Sequence, residues 1–204
     1  PGDSLVIDIV PVRDGAALVG VPVMHYKMYT NPVFDAFRTT GVPSSGSIDG
    51  FPAKNGPNPV PDKWAFDLPD TNFFFPGDVI RYYIVASDDL GGVVQSSIMP
   101  DTAGWDTPWN DPMGYSSSFT VRALPSMYDD GFGGIAYPPI LFWNDFANRG
   151  GENEWYTALA NAGKVLGLDY DIYYTNGPSS GVGNGLGARA GSSEMLETYT
   201  DMLY

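Results

Sequence analysis

The chain contains no cysteine. Disulfides, thiolate nucleophiles, Cys-ligated zinc and iron–sulfur clusters are therefore excluded within it. Basic residues are scarce: 10 Lys and Arg stand against 24 acids, for a net charge of −14. A surface of that sign repels phosphate backbones, so nucleic acid is not an expected partner. No apolar run approaches the roughly 20 residues that cross a bilayer, so membrane insertion is not expected either. Glutamate is rare as well, with 4 among the 24 acids. Aspartate favours turns and caps, which places the acidity on loops. There is no initiator methionine. The chain opens Pro1-Gly2-Asp3, as a processed or excised segment would.

Glycine and proline are abundant instead, with 25 and 18 copies. Such a content predicts many turns and long connections. The apolar fraction of 43% is enough for a core, and 204 residues suit two small domains.

Residues 1–124 carry β signals. Leu5-Val6-Ile7-Asp8-Ile9-Val10 reads as a strand and Asp14-Gly15 as a turn. Residues 21–29 read as a second strand, with Met24, Tyr26 and Met28 on one face and Val23, His25, Lys27 and Tyr29 on the other. The neighbouring Lys27 assigns His25 to the solvated face. Residues 40–62, dense in Gly, Pro, Ser and Asn, read as a long loop without regular structure. Residues 64–68 alternate as a short strand. Then Phe75-Pro76-Gly77-Asp78 reads as a turn, 79–87 as a long strand, Asp88-Asp89-Leu90-Gly91-Gly92 as a turn and 93–98 as the returning strand, with 115–121 closing the set. Several short strands at this spacing suit a sandwich.

Residues 125–139 read as a linker, with Asp129-Asp130-Gly131, Gly133-Gly134 and flanking prolines. Beyond it the style changes. Ile140-Leu141-Phe142-Trp143 is a continuous apolar run, as in a strand buried on both faces, ended by Asn144-Asp145. Residues 152–166 read as a helix, with Trp155, Leu159, Ala162 and Leu166 at helical spacing, Glu152 and Glu154 in the first turn and Gly167 as the stop. Tyr170-Asp171-Ile172-Tyr173-Tyr174 reads as a second strand. Ser192 reads as the N-cap of a second helix, and a third strand starts near Met202-Leu203-Tyr204. Strand, helix, strand, helix implies a parallel sheet with right-handed crossovers. Two strands and a beginning do not complete such a domain, so 140–204 reads as its truncated N-terminal part. The expected fold class is mixed: an all-β sandwich followed by an α/β fragment.

The motifs that could carry chemistry are few. Gly183, Gly185 and Ala188 fit a loose G-x-G-x-x-A in the loop before the second helix, with Arg189 adding a charge. A backbone cradle for an anion is one reading; a long loop at the carboxyl edge of the sheet is the other. Asn144 and Asp145 leave the first parallel strand at that same edge, where α/β domains place ligands. Asp101, Asp106 and Asp111 supply loop oxygens suited to a structural Ca²⁺, without the EF-hand spacing. Trp105 and Trp109 in the same loop read either as a platform for a glycan or as a cover over the sandwich. No nucleophile–base–acid constellation is readable, so no catalytic residue and no organic cofactor is assigned.

The Pro-Gly-Asp turn, the aromatic strand 79–87 and its returning partner resemble the late hairpin of fibronectin type III and related bacterial Ig-like modules. Residues 140–145, 154–166 and 170–174 resemble the opening of flavodoxin-like domains of secreted bacterial proteins, among them the class I glutamine-amidotransferase-like group with its ThuA-type members and the caspase-like gingipain domain. The second half, with its Pro-Ser-Ser-Gly-Val-Gly-Asn-Gly-Leu-Gly loop, resembles surface proteins that carry an Ig-like domain ahead of it. Both enzyme families use a Cys–His pair. This chain has no Cys and its single His lies in the β half, so the resemblance carries over no catalytic residue. Gingipains also place the Ig-like module after the catalytic domain, the reverse order. The resemblance implies a secreted or cell-surface bacterial protein with a structural, adhesive or assembly role, acting with copies of itself, another surface protein or a glycan. The alternatives are the N-terminal part of an extracellular hydrolase of peptides or glycans, with catalytic residues beyond Tyr204, and a carbohydrate-binding module.

Overall fold

The computed structural model describes residues 4–38, 40, 41, 43–69, 72–106, 119–144, 151–174 and 193–203. Strand far outweighs helix, and the sheets are open. The chain forms two compact units. One comprises Pro1–Tyr29, Thr39–Phe73 and Ile80–Val121, the other Thr30–Arg38, Phe74–Val79 and Arg122–Tyr204.

The first unit is antiparallel. β1 (Leu5–Asp8), β5 (Asn58–Phe66) and β4 (Phe51–Asn55) form one sheet in the order β1-β5-β4. The other runs β3 (Ser45–Asp49), β2 (Ala17–Tyr29), β6 (Val79–Leu90), β7 (Val93–Met99), and β8 (Phe119–Arg122) also pairs with β6. Alternation sorts β2 as the sequence leads one to expect: Met24 and Tyr26 are buried, while His25 and Lys27 are half-exposed. The start of β6 is covered on both faces, with Val79, Ile80, Arg81 and Tyr82 all buried. Leu5, Ala65 and Phe66 are the buried residues of the smaller sheet.

The expected loop at 40–62 is corrected: it holds β3, β4 and the start of β5. Its glycines and prolines are hairpin residues. Asn55 pairs with Asn58 across Gly56-Pro57, with Gly56 at φ 61°, as a two-residue turn with glycine first requires. Pro59 and Pro61 lie beyond the stretch of β5 that β1 covers, Lys63–Phe66, so their missing N–H groups cost no bond to β1. Gly50 joins β3 to β4 because a Cβ there would lie 2.9 Å from the Phe66 ring.

The second unit contains a parallel sheet. β12 (Tyr170–Tyr174) and β13 (Asp201–Leu203) flank β11 (Ile140–Asn144), in the order β12-β11-β13. Helix α1 (Glu152–Asn161) lies between β11 and β12 in sequence, and the short α2 (Ser193–Leu196) between β12 and β13. Both sheet faces are covered. On one, Phe142, Tyr170 and Ile172 pack with Leu159 and Leu166, beside Trp155 and Tyr156. On the other, Leu141 and Tyr173 pack with Leu124, Trp143, Leu196 and Tyr199. The helix expected over 152–166 ends at Asn161. Gly163 adopts φ 71°, and Lys164 N–H returns to the Leu159 carbonyl, a left-handed glycine cap. Leu166 reaches the same apolar cluster from the turn that follows.

Residues 125–139 carry a two-strand ladder, β9 (Tyr128–Asp129) with β10 (Ile135–Ala136), and a buried Ser126 and Pro138. Two distant segments join this unit. Asn31 caps a 3₁₀ helix, Pro32–Phe37, and Arg38 follows it. Arg38 grips the fully buried Asp78 with both terminal nitrogens, at 2.9 and 2.6 Å, while Asn31 and Phe75 N–H donate to the same carboxylate. Four donors satisfy that charge, which an isolated buried carboxylate could not tolerate.

Candidate functional site

At the carboxyl edge of the parallel sheet the central strand ends at Asn144, beside Tyr174 of β12. The chain passes from β11 to β12 on one side and from β12 to β13 on the other, so connections diverge at this edge. A crevice of that topology is where open α/β sheets bind ligands. Asn144 is buried, and its side-chain amide donates to the Tyr156 hydroxyl at 3.0 Å. The bond ties the strand end to α1. Asp145, Gly183, Gly185 and Arg189, the other residues expected at this edge, lie outside the described residues.

One strand face of the same sheet holds a polar knot. Asp171 is fully buried in β12 and accepts from Ser126 N–H at 2.8 Å, Ser126 Oγ at 2.6 Å and Tyr199 Oη at 2.8 Å. Burial, then the adjoining Asp171 charge, raises the Tyr199 phenol above its ordinary range, while Arg122 pulls the other way. Three donors on a carboxylate closed to solvent make a latch between 126, 171 and 199. Ser126 is itself buried and donates to Asp171, so the knot ties residue 126 to the strand and to Tyr199.

In the first unit, Trp105 sits in a ladder on the half-exposed face of β2 and β6. His25 stacks on Tyr83 at 4.8 Å, and Tyr83 meets Trp105 edge-on at 4.7 Å. Lys27 Nζ lies 4.8 Å from the Trp105 ring and donates to its carbonyl at 2.6 Å; the Arg81 guanidinium lies 5.6 Å from the ring. Two cations and an aromatic edge thus hold this indole as a half-buried cover on the sheet. Trp109 lies outside the described residues.

The aspartates expected to share a Ca²⁺ are engaged singly. Asp101 caps its own turn through Ala103 N–H, and the exposed Asp106 reaches Lys27 at 3.4 Å. Asp111 lies outside the described residues. Asp130 accepts from Phe132 and Gly134 N–H, which holds its carboxyl below the usual range. Among the described residues, no three acidic or histidine side chains are grouped to hold one ion.

A feature that residue types alone do not reveal is the edge at β7. All seven of its residues are exposed; Val93, Val94, Ile98 and Met99 are 63%, 59%, 49% and 63% so. β6 pairs with one side of β7, and no described strand pairs with the other. The two-residue turn Gly91-Gly92, with φ of 62° and 87°, makes Leu90 and Val93 a hydrogen-bonded pair. Alternation then points the N–H and C=O of Val94, Ser96 and Ile98 away from β6. The Ser87 and Ser96 hydroxyls, 2.8 Å apart, agree with a close non-hydrogen-bonded pair at that step. The sequence carries one hint, an uncharged Val-Val-Gln-Ser-Ser-Ile-Met run in a strongly acidic chain, but not the openness of the edge.

Comparison of the chain with protein-family models, curated proteins and solved structures returns no match.

Proposed function

We propose that this chain is a structural or assembly module of the extracellular surface. It combines an Ig- or fibronectin-III-like β unit with the opening of a flavodoxin-like α/β unit, and it docks a partner protein by strand addition along β7. The observation that carries this reading is the open edge: seven exposed residues without a charge, presenting three outward-facing N–H groups. Such an edge is a template for another strand, with main-chain bonds supplying affinity. The test is a fluorescent extended peptide of alternating valine and serine, titrated with the protein and followed by anisotropy. Binding is expected, and Ser96→Pro should abolish it, because proline removes an outward N–H without breaking a main-chain bond to β6, at the cost of the Ser87–Ser96 hydroxyl contact alone. No binding by the monomeric protein, or binding that survives Ser96→Pro, removes the reading.

A second reading is the N-terminal part of an extracellular hydrolase. The order β12-β11-β13 supports it, because the buried Asn144 then stands at the ligand edge of the sheet. Thermal-shift screening of short peptides and glycans tests it: a ligand whose stabilisation is lost in Asn144→Ala would favour this reading over the first.

A further inference from the structure

Resting on the strand-addition reading, we infer that the partner at β7 is a second copy of this chain, joined antiparallel about a two-fold axis through Ser96. Three observations lead there. The first is self-complementarity. Pairing Ser96 with its own copy places Val94 opposite Ile98, Val93 opposite Met99 and Gln95 opposite Ser97, so apolar meets apolar and polar meets polar. The second is the direction of the backbone groups. Val94, Ser96 and Ile98 all face outward, symmetrically about Ser96, and a copy in this register forms about six main-chain hydrogen bonds. An interface whose central residue meets itself is the closed, isologous kind.

The third observation is how the other edges of the same unit are guarded. β1 carries Asp8, β3 carries Asp49 and β8 carries Arg122; β4 carries Pro52, Lys54 and a register shift between them. Charges, prolines and bulges are the devices that stop edges from pairing. Among the described strands at the rim of this unit, β7 alone has neither a charge nor a proline. In a chain of net charge −14, it is also a strip where two copies can approach without opposed carboxylates on the contacting strands. Asp88 and Asp89 stand one strand back, the first paired with Arg13 and the second bonded to Gly92 N–H. Added salt, by screening the remaining repulsion between copies, should tighten the dimer.

The experiment is sedimentation velocity of the full chain from micromolar to millimolar concentration, with single-cysteine cross-linking. Because the native chain has no cysteine, each introduced thiol is unique. The expected result is a concentration-dependent dimer whose dissociation constant rises at least tenfold in Ile98→Lys, although that change lowers the net negative charge. A purely electrostatic association would instead be strengthened by the added lysine. Ser96→Cys should oxidise to a covalent dimer, since facing residues of a hydrogen-bonded pair lie about 5.5 Å apart at Cα, within disulfide reach. Val94→Cys should not link to itself but should link to Ile98→Cys in a mixture. A dimer that ignores Ile98→Lys, or that cross-links in another pattern, overturns the two-fold pairing. A chain that stays monomeric at millimolar concentration while the valine–serine peptide still binds overturns the second copy as partner and leaves strand addition standing. A monomer that binds no peptide removes both.

Discussion

Tyr82 and Tyr199 are sheltered phenols, one in each compact unit, and their hydroxyls meet opposite surroundings. Tyr82 is fully buried among apolar residues, tilted against Phe119 at 5.4 Å, and its hydroxyl has no hydrogen-bond partner among the described residues. Tyr199 donates to Asp171, which also holds Ser126. The difference follows from sheet type. In the antiparallel sheet, alternation sends most polar groups outward; Arg81 on β6 is a buried exception, set against the Trp105 ring, and the Tyr82 hydroxyl is incidental to a large apolar ring. The parallel sheet is covered on both faces, so a polar residue in it is buried whichever way it points and must be supplied with partners. The sharpest way to break this contrast is Asp171→Ala. It leaves the Ser126 N–H, the Ser126 hydroxyl and the Tyr199 hydroxyl without their acceptor, and should cost about 3–5 kcal/mol of stability by denaturant titration. A loss below about 1 kcal/mol would mean the knot is not the anchor of 122–127 on the sheet.

Tyr199→Phe removes one of the three donors and leaves Asp171 with the other two. The expected cost is about 1–2 kcal/mol, less than for Asp171→Ala because the carboxylate stays bonded. If the two variants cost the same, Ser126 contributes nothing, and the latch reduces to a single Tyr–Asp bond.

Much of this arrangement is legible in the sequence, and the limits are physical. The inward face of β2, with Met24 and Tyr26, follows from alternation, and β11 and β12 follow from short apolar runs. The third parallel strand appears at Asp201–Leu203, one residue ahead of its expected start. The strands between 45 and 66 are hidden because hairpin turns use the residues that also build irregular loops. Gly50 is required by the Phe66 ring and Gly56 by a turn, neither of which can be told apart from flexibility by composition. Asp78 and Arg38 are 40 residues apart, and Asp171 and Ser126 are 45 apart. Nothing local in the sequence pairs them. Of the candidate site, Asn144 is legible as the polar stop of an apolar strand. The open edge of β7 is not, because the number of strands that follow on its far side is a property of the sheet.

Alkaline pH sharpens the contrast. Free phenols titrate near 10, and burial raises both Tyr82 and Tyr199 above that value. The unfolded chain therefore releases these protons at lower pH than the folded one, and stability falls as pH rises. The contribution is fully present below about pH 10 and is lost above it, by up to about 1.4 kcal/mol per pH unit for each phenol. Absorbance at the phenolate band should show these two tyrosines titrating together with unfolding, and each Phe variant should lessen the slope.

The smallest expected effect is Tyr82→Phe at neutral pH. The change removes a buried hydroxyl that gains no bond from folding among the described residues, and it keeps the ring that packs on Phe119. Desolvating a hydroxyl without a partner is unfavourable, so the variant should match or exceed the native stability, within about 1 kcal/mol. Its alkaline slope should still flatten, because the raised phenol is gone. A loss comparable to that of Tyr199→Phe would show that the Tyr82 hydroxyl has an acceptor. The antiparallel unit would then have to be read as holding a buried polar anchor of its own, and the contrast between the two sheets would fail at that residue.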